Sequence, residues 1–282
     1  MSPSPFRFGT VGSPTSTPKK PSGSVGAVLR SAELGLFALE LGWVRAVRVT
    51  PETCAAIQET AAAQDVRISV HAPYFINLNA DDEEWPKSRQ RLMDAAHYGN
   101  LAGATDIVFH PGSYFERPPA DVLPGAIARL GGCVDELRGA GNPVTLRPET
   151  MGKSAMLGSL DDTLEMARQI PGVLPCIDFA HLHARMGDGS MNTHDEWSRA
   201  LEAYGKALGD VALRNLHVHL SGIQYGPKGE KKHLPLSESD LDLLAIFRAL
   251  KEFGCQGRLL CESPEMEDDA LHMLNVWSQV AG

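Results

Sequence analysis

Short apolar runs rich in Val, Ile and Leu recur along the chain and alternate with longer stretches of helical composition. The runs at 7–10, 38–43, 66–70, 106–109, 143–147, 173–177, 215–218 and 258–261 predict strands, being too short for helices. The stretches at 24–36, 51–63, 84–102, 119–138, 160–169, 194–208, 237–253 and 265–280 predict helices. The helix at 237–253 is expected to start on the Ser-Glu-Ser-Asp run from Ser237 to Asp240 and to stop at Gly254. Strands and helices alternating eight times predict a single (β/α)8 TIM barrel over 1–282, with 1–5 as a flexible tail. A doubly wound open sheet would carry a glycine-rich phosphate turn after its first strand, and the run from Gly9 to Gly12 is too sparse for one. No linker interrupts the pattern; the Ser/Pro/Lys-rich stretch 13–23 is expected as a loop after the first strand.

Composition narrows the function. The chain has 282 residues and a formal net charge of −9, so a sequence-wide electrostatic grip on DNA is excluded. Phosphate could still be met by a local basic rim, for which Lys228, Lys231 and Lys232 are candidates, or by cations held in an acidic pocket. Five scattered cysteines without a Cys-x-x-Cys pair suit reduced thiols in the cytoplasm. No apolar run of membrane length and no signal-peptide layout is present in the sequence, so no membrane partner is expected.

The strand ends carry the chemistry. Glu40, His71, His110, Glu149, Asp178, His219 and Glu262 follow one another at spacings of 31, 39, 39, 29, 41 and 43 residues. One imidazole or carboxylate thus stands near the end of each strand from the second to the eighth. In a barrel those ends meet at the C-terminal mouth. Carboxylates converging there would repel one another, and divalent cations remove that penalty. Mixed His/Asp/Glu ligation suits zinc or manganese, and a site without Cys ligands leaves positions open for substrate. His97 and His272 lie in helical stretches and are expected at the surface or in packing. His183 and His194 lie in the segment after the sixth strand without an assigned role. His217, two residues before His219 on the same barrel face, is expected behind the ligands or in a core layer, and Cys176 is expected to pack. No Gly-x-Ser-x-Gly elbow supports a serine hydrolase.

Taken together, these residues resemble a known family. His71, Tyr74, Asn77 and Leu78 form His-x-x-Tyr-x-x-Asn-Leu, and Phe109 to Ser113 reads Phe-His-Pro-Gly-Ser. Cys176 to His181 reads Cys-Ile-Asp-x-x-His, His219 to Ser221 reads His-Leu-Ser, and Leu259 to Glu262 reads Leu-x-x-Glu. In this order, over about two-thirds of the chain, they resemble endonuclease IV, the zinc-dependent apurinic/apyrimidinic (AP) endonucleases with a xylose-isomerase-like barrel. The resemblance implies hydrolysis of duplex DNA on the 5′ side of an abasic site, leaving a 3′-hydroxyl, by a monomer carrying three zinc ions, with manganese as a substitute. It assigns His71 and His110 to the first zinc and Glu149 to a bridge between the first two. Asp178, His219 and Glu262 fall to the second zinc, His181 and His233 to the third. Glu149 and Glu262 are the implied catalytic carboxylates, Glu262 orienting or deprotonating the nucleophile. Tyr74, Trp43 and Arg45 are the candidates to wedge into the vacated base stack.

Three departures from the family stand out. Lys231 occupies the place where a metal-binding Asp is usual, two residues before His233. Glu230 is therefore expected to turn inward as the third zinc's other ligand after a backbone shift at Gly229, a two-metal or water-completed site being the alternative. The stretch after Glu149 is one residue short, and the loop after the second strand is reduced to 43–48. Two other classes remain as rivals. A sugar isomerase or epimerase of the same barrel type needs carboxylates and His on strands five to eight but not His71, His110 and His233. A barrel that only binds damaged DNA or a protein would have lost ligands.

Overall fold

Period-two alternation in the strands decides which residues fill the barrel and which face the helices. In β3 (Arg67–His71) Ile68 and Val70 join the apolar core outside the barrel, while Ser69 and His71 point inward. In β7 (Leu216–Leu220) Leu216, Val218 and Leu220 face out, and His217 and His219 face in. The remaining barrel strands are β1 (Phe6–Val11), β2 (Ala38–Gly42), β4 (Asp106–Phe109), β5 (Thr145–Pro148), β6 (Cys176–Asp178) and β10 (Gly257–Cys261). All pair in parallel in the order β5-β4-β3-β2-β1-β10-β7-β6. Single parallel bridges from Leu146 to Val173 and from Glu149 to Cys176 close the ring between β5 and β6. The fold is the single (β/α)8 barrel that the alternation predicts.

The computed structural model describes residues 4–281. Of the expected tail, 1–3 lie outside the described residues, and the Pro5 carbonyl accepts the Gly257 N–H at 3.0 Å. The outer layer comprises α1 (Gly23–Glu33), α2 (Pro51–Ala63), α3 (Trp85–Leu101), α4 (Pro119–Gly139), α5 (Leu160–Gln169), α6 (Phe179–Arg185), α7 (His194–Leu208), α8 (Asp210–Leu213), α9 (Leu243–Glu252) and α10 (Glu267–Ala281). Capping boxes start two of them, Ser159 with Asp162 at α5 and Thr193 with Glu196 at α7. None of these helices is long and apolar enough to cross a membrane. All five cysteines are buried and unpaired.

Two features differ from the sequence pattern. The helix expected over 237–253 begins at Leu243, capped by Asp242, whose side chain accepts the Ala245 N–H at 2.9 Å. Ser237 lies instead in a single 3-10 turn (Leu236–Glu238). The stretch before it, which the strand pattern leaves unassigned, is an antiparallel hairpin, β8 (Gly222–Gly226) with β9 (Gly229–Leu234), whose His233 meets His181 at the barrel mouth. Pro227-Lys228 forms its turn, and Gly229 follows at φ +93°.

Candidate metal centre

The barrel interior is layered by charge. At the N-terminal end Asp106, Arg147 and Arg258 interlock. Above them lie Glu40, Ser69 and His217, and at the C-terminal mouth the predicted donors converge. His71 ends β3, Asp178 ends β6, and His219 is the fourth residue of β7. His110, Glu149 and Glu262 each directly follow a strand.

Glu149 sits at the centre, fully buried. Its Oε2 lies 3.3 Å from both His71 Nε2 and His110 Nε2. Its Oε1 lies 3.3 Å from His181 Nδ1 and 3.4 Å from His219 Nδ1. One carboxylate oxygen therefore serves each side, as a bridge between two cations requires. Three donor groups surround it, each with ligand atoms within 4.8 Å of one another: His71, His110 and Glu149; Glu149, Asp178, His219 and Glu262; and Asp178, His181 and His233.

Local structure aims these groups. Asp178 caps α6 by accepting the His181 N–H on Oδ1 at 2.7 Å, which leaves Oδ2 free to face the centre. The ring Nδ1 atoms of His71, His181 and His233 lie 2.9, 2.9 and 3.1 Å from the carbonyls of Ala72, Thr150 and Glu262. A backbone acceptor on Nδ1 turns Nε2 toward the site.

The Lys231 departure has a structural answer. Gln224 pairs with Lys232 and Tyr225 with Glu230, so Lys231 is the extra residue of a β-bulge. The bulge brings Glu230 and His233, three residues apart, to the same face of β9. Glu230 Oε2 lies 3.6 Å from His181 Nε2, and Oε1 lies 4.0 Å from His233 Nε2, while Lys231 is exposed. Gly152, in the shortened stretch after Glu149, permits this approach. A Cβ there would meet Glu230 Cβ at 2.7 Å and His181 Cδ2 at 3.0 Å. The Gly152 carbonyl accepts the Glu230 N–H at 2.8 Å.

Electrostatics show that the protein alone does not complete this layer. Glu149 Oε1, Asp178 Oδ2, Glu262 Oε2 and His219 Nδ1 are buried with no hydrogen-bond partner. Such orphaned acceptors and a ring nitrogen, gathered at one point, match the donor chemistry of a divalent cation. Burial works against the charge on His71, yet the hydrogen bond and charge of Glu149 push it up to about 9. Burial likewise opposes ionisation of Glu262, but His219 holds it down at about 2. Burial raises Asp178. The buried carboxylates thus favour positive charge in this layer.

Of the predicted DNA contacts, Tyr74 stands at the rim, 46% exposed, its ring stacked on His110 with centroids 5.1 Å apart. Arg45 is exposed, whereas Trp43 is half-buried against the apolar core. Phe75 and Phe115, 62% and 59% exposed in the loops after β3 and β4, were not singled out from the sequence, where nothing separates them from core aromatics. Lys228, Lys231 and Lys232 are exposed along the hairpin. His183 is buried beside Asp240, its Nε2 3.1 Å from Oδ1, and His194 lies on the surface. Cys176 is buried below the centre, near His217 and His219.

A barrel with this donor set at its C-terminal mouth defines a class: (β/α)8 enzymes with a centre able to hold divalent cations. The model of the xylose isomerase-like TIM barrel family matches residues 28–279, and the chain belongs to that family. An uncharacterized protein of Methanocaldococcus jannaschii is 36% identical, over 97% of both chains. Endonuclease 4 of Thermus thermophilus is 30% identical over 70% of this chain and 71% of its own length. Among solved structures, an endonuclease IV from Thermus thermophilus superposes with a TM-score of 0.71 at 23% identity, over 98% of both chains. A D-tagatose 3-epimerase-like protein superposes with a TM-score of 0.70 at 18% identity, over 92% of this chain and 95% of its own. The two structures share the fold with this chain.

Proposed function

We propose that the protein is a zinc-dependent AP endonuclease of DNA base-excision repair, hydrolysing the phosphodiester 5′ to an abasic site and leaving a 3′-hydroxyl. The observation that carries this reading is the central Glu149 carboxylate, flanked on one side by His71 and His110 and on the other by Asp178, His181 and His219. Glu149, His71 and His110 would hold one cation, Glu149, Asp178, His219 and Glu262 a second, and His181, His233 and Glu230 a third. When bound, such cations supply Lewis acidity at phosphorus and an activated water for in-line displacement.

The chain's own groups do the rest. Glu262, with Oε2 unpartnered beside His219 Nδ1 at 3.4 Å, would orient the attacking water as a hydrogen-bond acceptor. Tyr74, stacked on His110, fills space vacated by the flipped-out sugar, with Arg45 and Trp43 on the adjoining loop. The three exposed hairpin lysines offer the local basic rim that the net charge of −9 withholds elsewhere. The enzyme acts as a cytoplasmic monomer on duplex DNA, and manganese can replace zinc in an oxygen-and-nitrogen donor set.

A second reading, a sugar isomerase or epimerase, is favoured by the nearly equal superposition on the epimerase-like barrel. That chemistry leaves His71, His110 and His233 without a task. The test is direct: incubate the purified protein with a duplex bearing one abasic analogue and resolve the products on a denaturing gel. A nick 5′ to the analogue with a polymerase-extendable end supports the nuclease. An intact duplex together with interconversion of ketoses supports the epimerase.

A further inference from the structure

His219 meets the centre differently from the other histidines. His71, His181 and His233 each set Nδ1 against a backbone carbonyl and turn Nε2 inward. His219 is reversed: its Nδ1 lies 3.4 Å from Glu149 Oε1 and 3.4 Å from Glu262 Oε2, and its Nε2 lies 3.0 Å from Glu40 Oε1. Glu40 is itself fully buried and held from two further directions. Ser69 Oγ donates to its Oε2 at 2.7 Å, and His217 Nε2 lies 2.9 Å from the same oxygen. Glu40 Oε1 and His219 Nε2 are in contact at 3.0 Å without hydrogen-bond alignment, and neither atom has another described partner.

Glu40 therefore does not reach the mouth, although its place in the strand-end series grouped it with the donors. We propose that Glu40 is a positioning residue that locks the His219 proton on Nε2 and presents Nδ1 as a ligand of the second cation; this rests on the metal-centre reading above. A carboxylate behind a ligating imidazole fixes the ring and strengthens it as a donor beyond what a backbone carbonyl does. His217 and Ser69 hold the carboxylate, which gives His217, two residues before His219 on the same face of β7, its purpose. The second cation site thereby has an anionic group behind its histidine, where His71, His181 and His233 have backbone carbonyls.

The test is made on the full chain, labelled with 15N-histidine and loaded with zinc, by long-range 1H–15N NMR, the His219 signal being assigned from its loss in His219→Asn. The expected spectrum has the His219 proton on Nε2 and a zinc-shifted Nδ1, with His71, His181 and His233 protonated on Nδ1. A His219 proton on Nδ1 overturns the proposal. If zinc shifts no histidine signal, the metal reading falls and the proposal with it. In Glu40→Gln, which keeps the shape and removes the charge, one zinc equivalent should weaken by about 10–100-fold while the others and the circular dichroism hold. Unchanged zinc affinity in folded Glu40→Gln also overturns the proposal, and should that variant not fold, the wild-type spectrum decides alone.

Discussion

Asp106, at the N-terminal end of the barrel, and Glu149, at its C-terminal end, are both carboxylates buried in the same ring of strands, yet their surroundings differ in kind. Asp106 Oδ1 accepts from Arg147 Nε at 2.6 Å, and its Oδ2 lies 2.9 Å from Arg258 Nη2 and accepts from Thr105 Oγ1 at 2.6 Å. Arg147 also donates from Nη1 and Nη2 to the carbonyls of Pro175 and Asn215. That end is closed by the protein's own groups. Around Glu149 the imidazoles stand at 3.3–3.4 Å, and oxygens of three carboxylates lack any partner. The comparison teaches that Asp106, answered by arginines, is a structural tie, whereas Glu149, faced by histidines, keeps an oxygen without a partner, in line with the division between stability and chemistry found in such barrels.

Substitutions at the two ends should therefore fail in different ways. The largest effect is expected at Glu149. Glu149→Ala should reduce incision by about a thousandfold or more, the scale of removing one preorganised electrostatic element. His71→Ala should lose less, because a terminal imidazole serves one cation and a bridge serves two; equal mild losses in a gel-based rate assay would contradict the shared carboxylate.

Asp106→Ala should instead destabilise the fold by about 3 kcal/mol in denaturant titrations, since it strands the buried guanidinium of Arg147 and the partly buried one of Arg258, and leave zinc content per folded molecule unchanged. Arg147 and Arg258 hold the Asp106 carboxyl well below its usual range against the opposing effect of burial. Its contribution is thus complete above the unfolded value of about 3.9 and is lost as pH falls through the lower folded value. The variant should show a flatter acid limb than the wild type.

The donor end of this contrast can be read in the chain itself, whereas the tie among Asp106, Arg147 and Arg258 depends on how three strands pair. The period-two alternation in Ile68-Ser69-Val70-His71 and in Leu216 to Leu220 is visible because side-chain direction in a strand depends only on sequence neighbours. The donors at the strand ends are visible for the same reason. Glu40 could be counted but not placed, because its partners Ser69, His217 and His219 lie on other strands and their register is a tertiary fact. The bulge at Lys231 depends on how β8 and β9 pair. The late start of α9 was hidden because Ser237 and Asp242 offer equally good cap chemistry, and packing chose the second.

Smaller effects sharpen the comparison within the open end. Glu230→Ala should remove about one metal equivalent by elemental analysis and slow cleavage with the fold intact; full metal content and rate would make Glu230 a mere loop residue. Zinc uptake should also release protons. His71 sits at about 9 in the metal-free protein, so below that pH it carries a proton the cation must displace, and apparent affinity should fall as pH falls. Calorimetry in two buffers of different ionisation enthalpy reads this release, and identical heats near neutral pH would count against it.

The most direct measurement is anomalous diffraction at the zinc edge from crystals of the zinc-loaded protein. The expected map has three peaks around Glu149: one beside His71 and His110, one beside Asp178, His219 and Glu262, and one beside His181, His233 and Glu230. A single peak among Glu149, Asp178, His219 and Glu262, with none beside His71 and His110, would contradict the shared-carboxylate centre and leave the barrel an epimerase-type site.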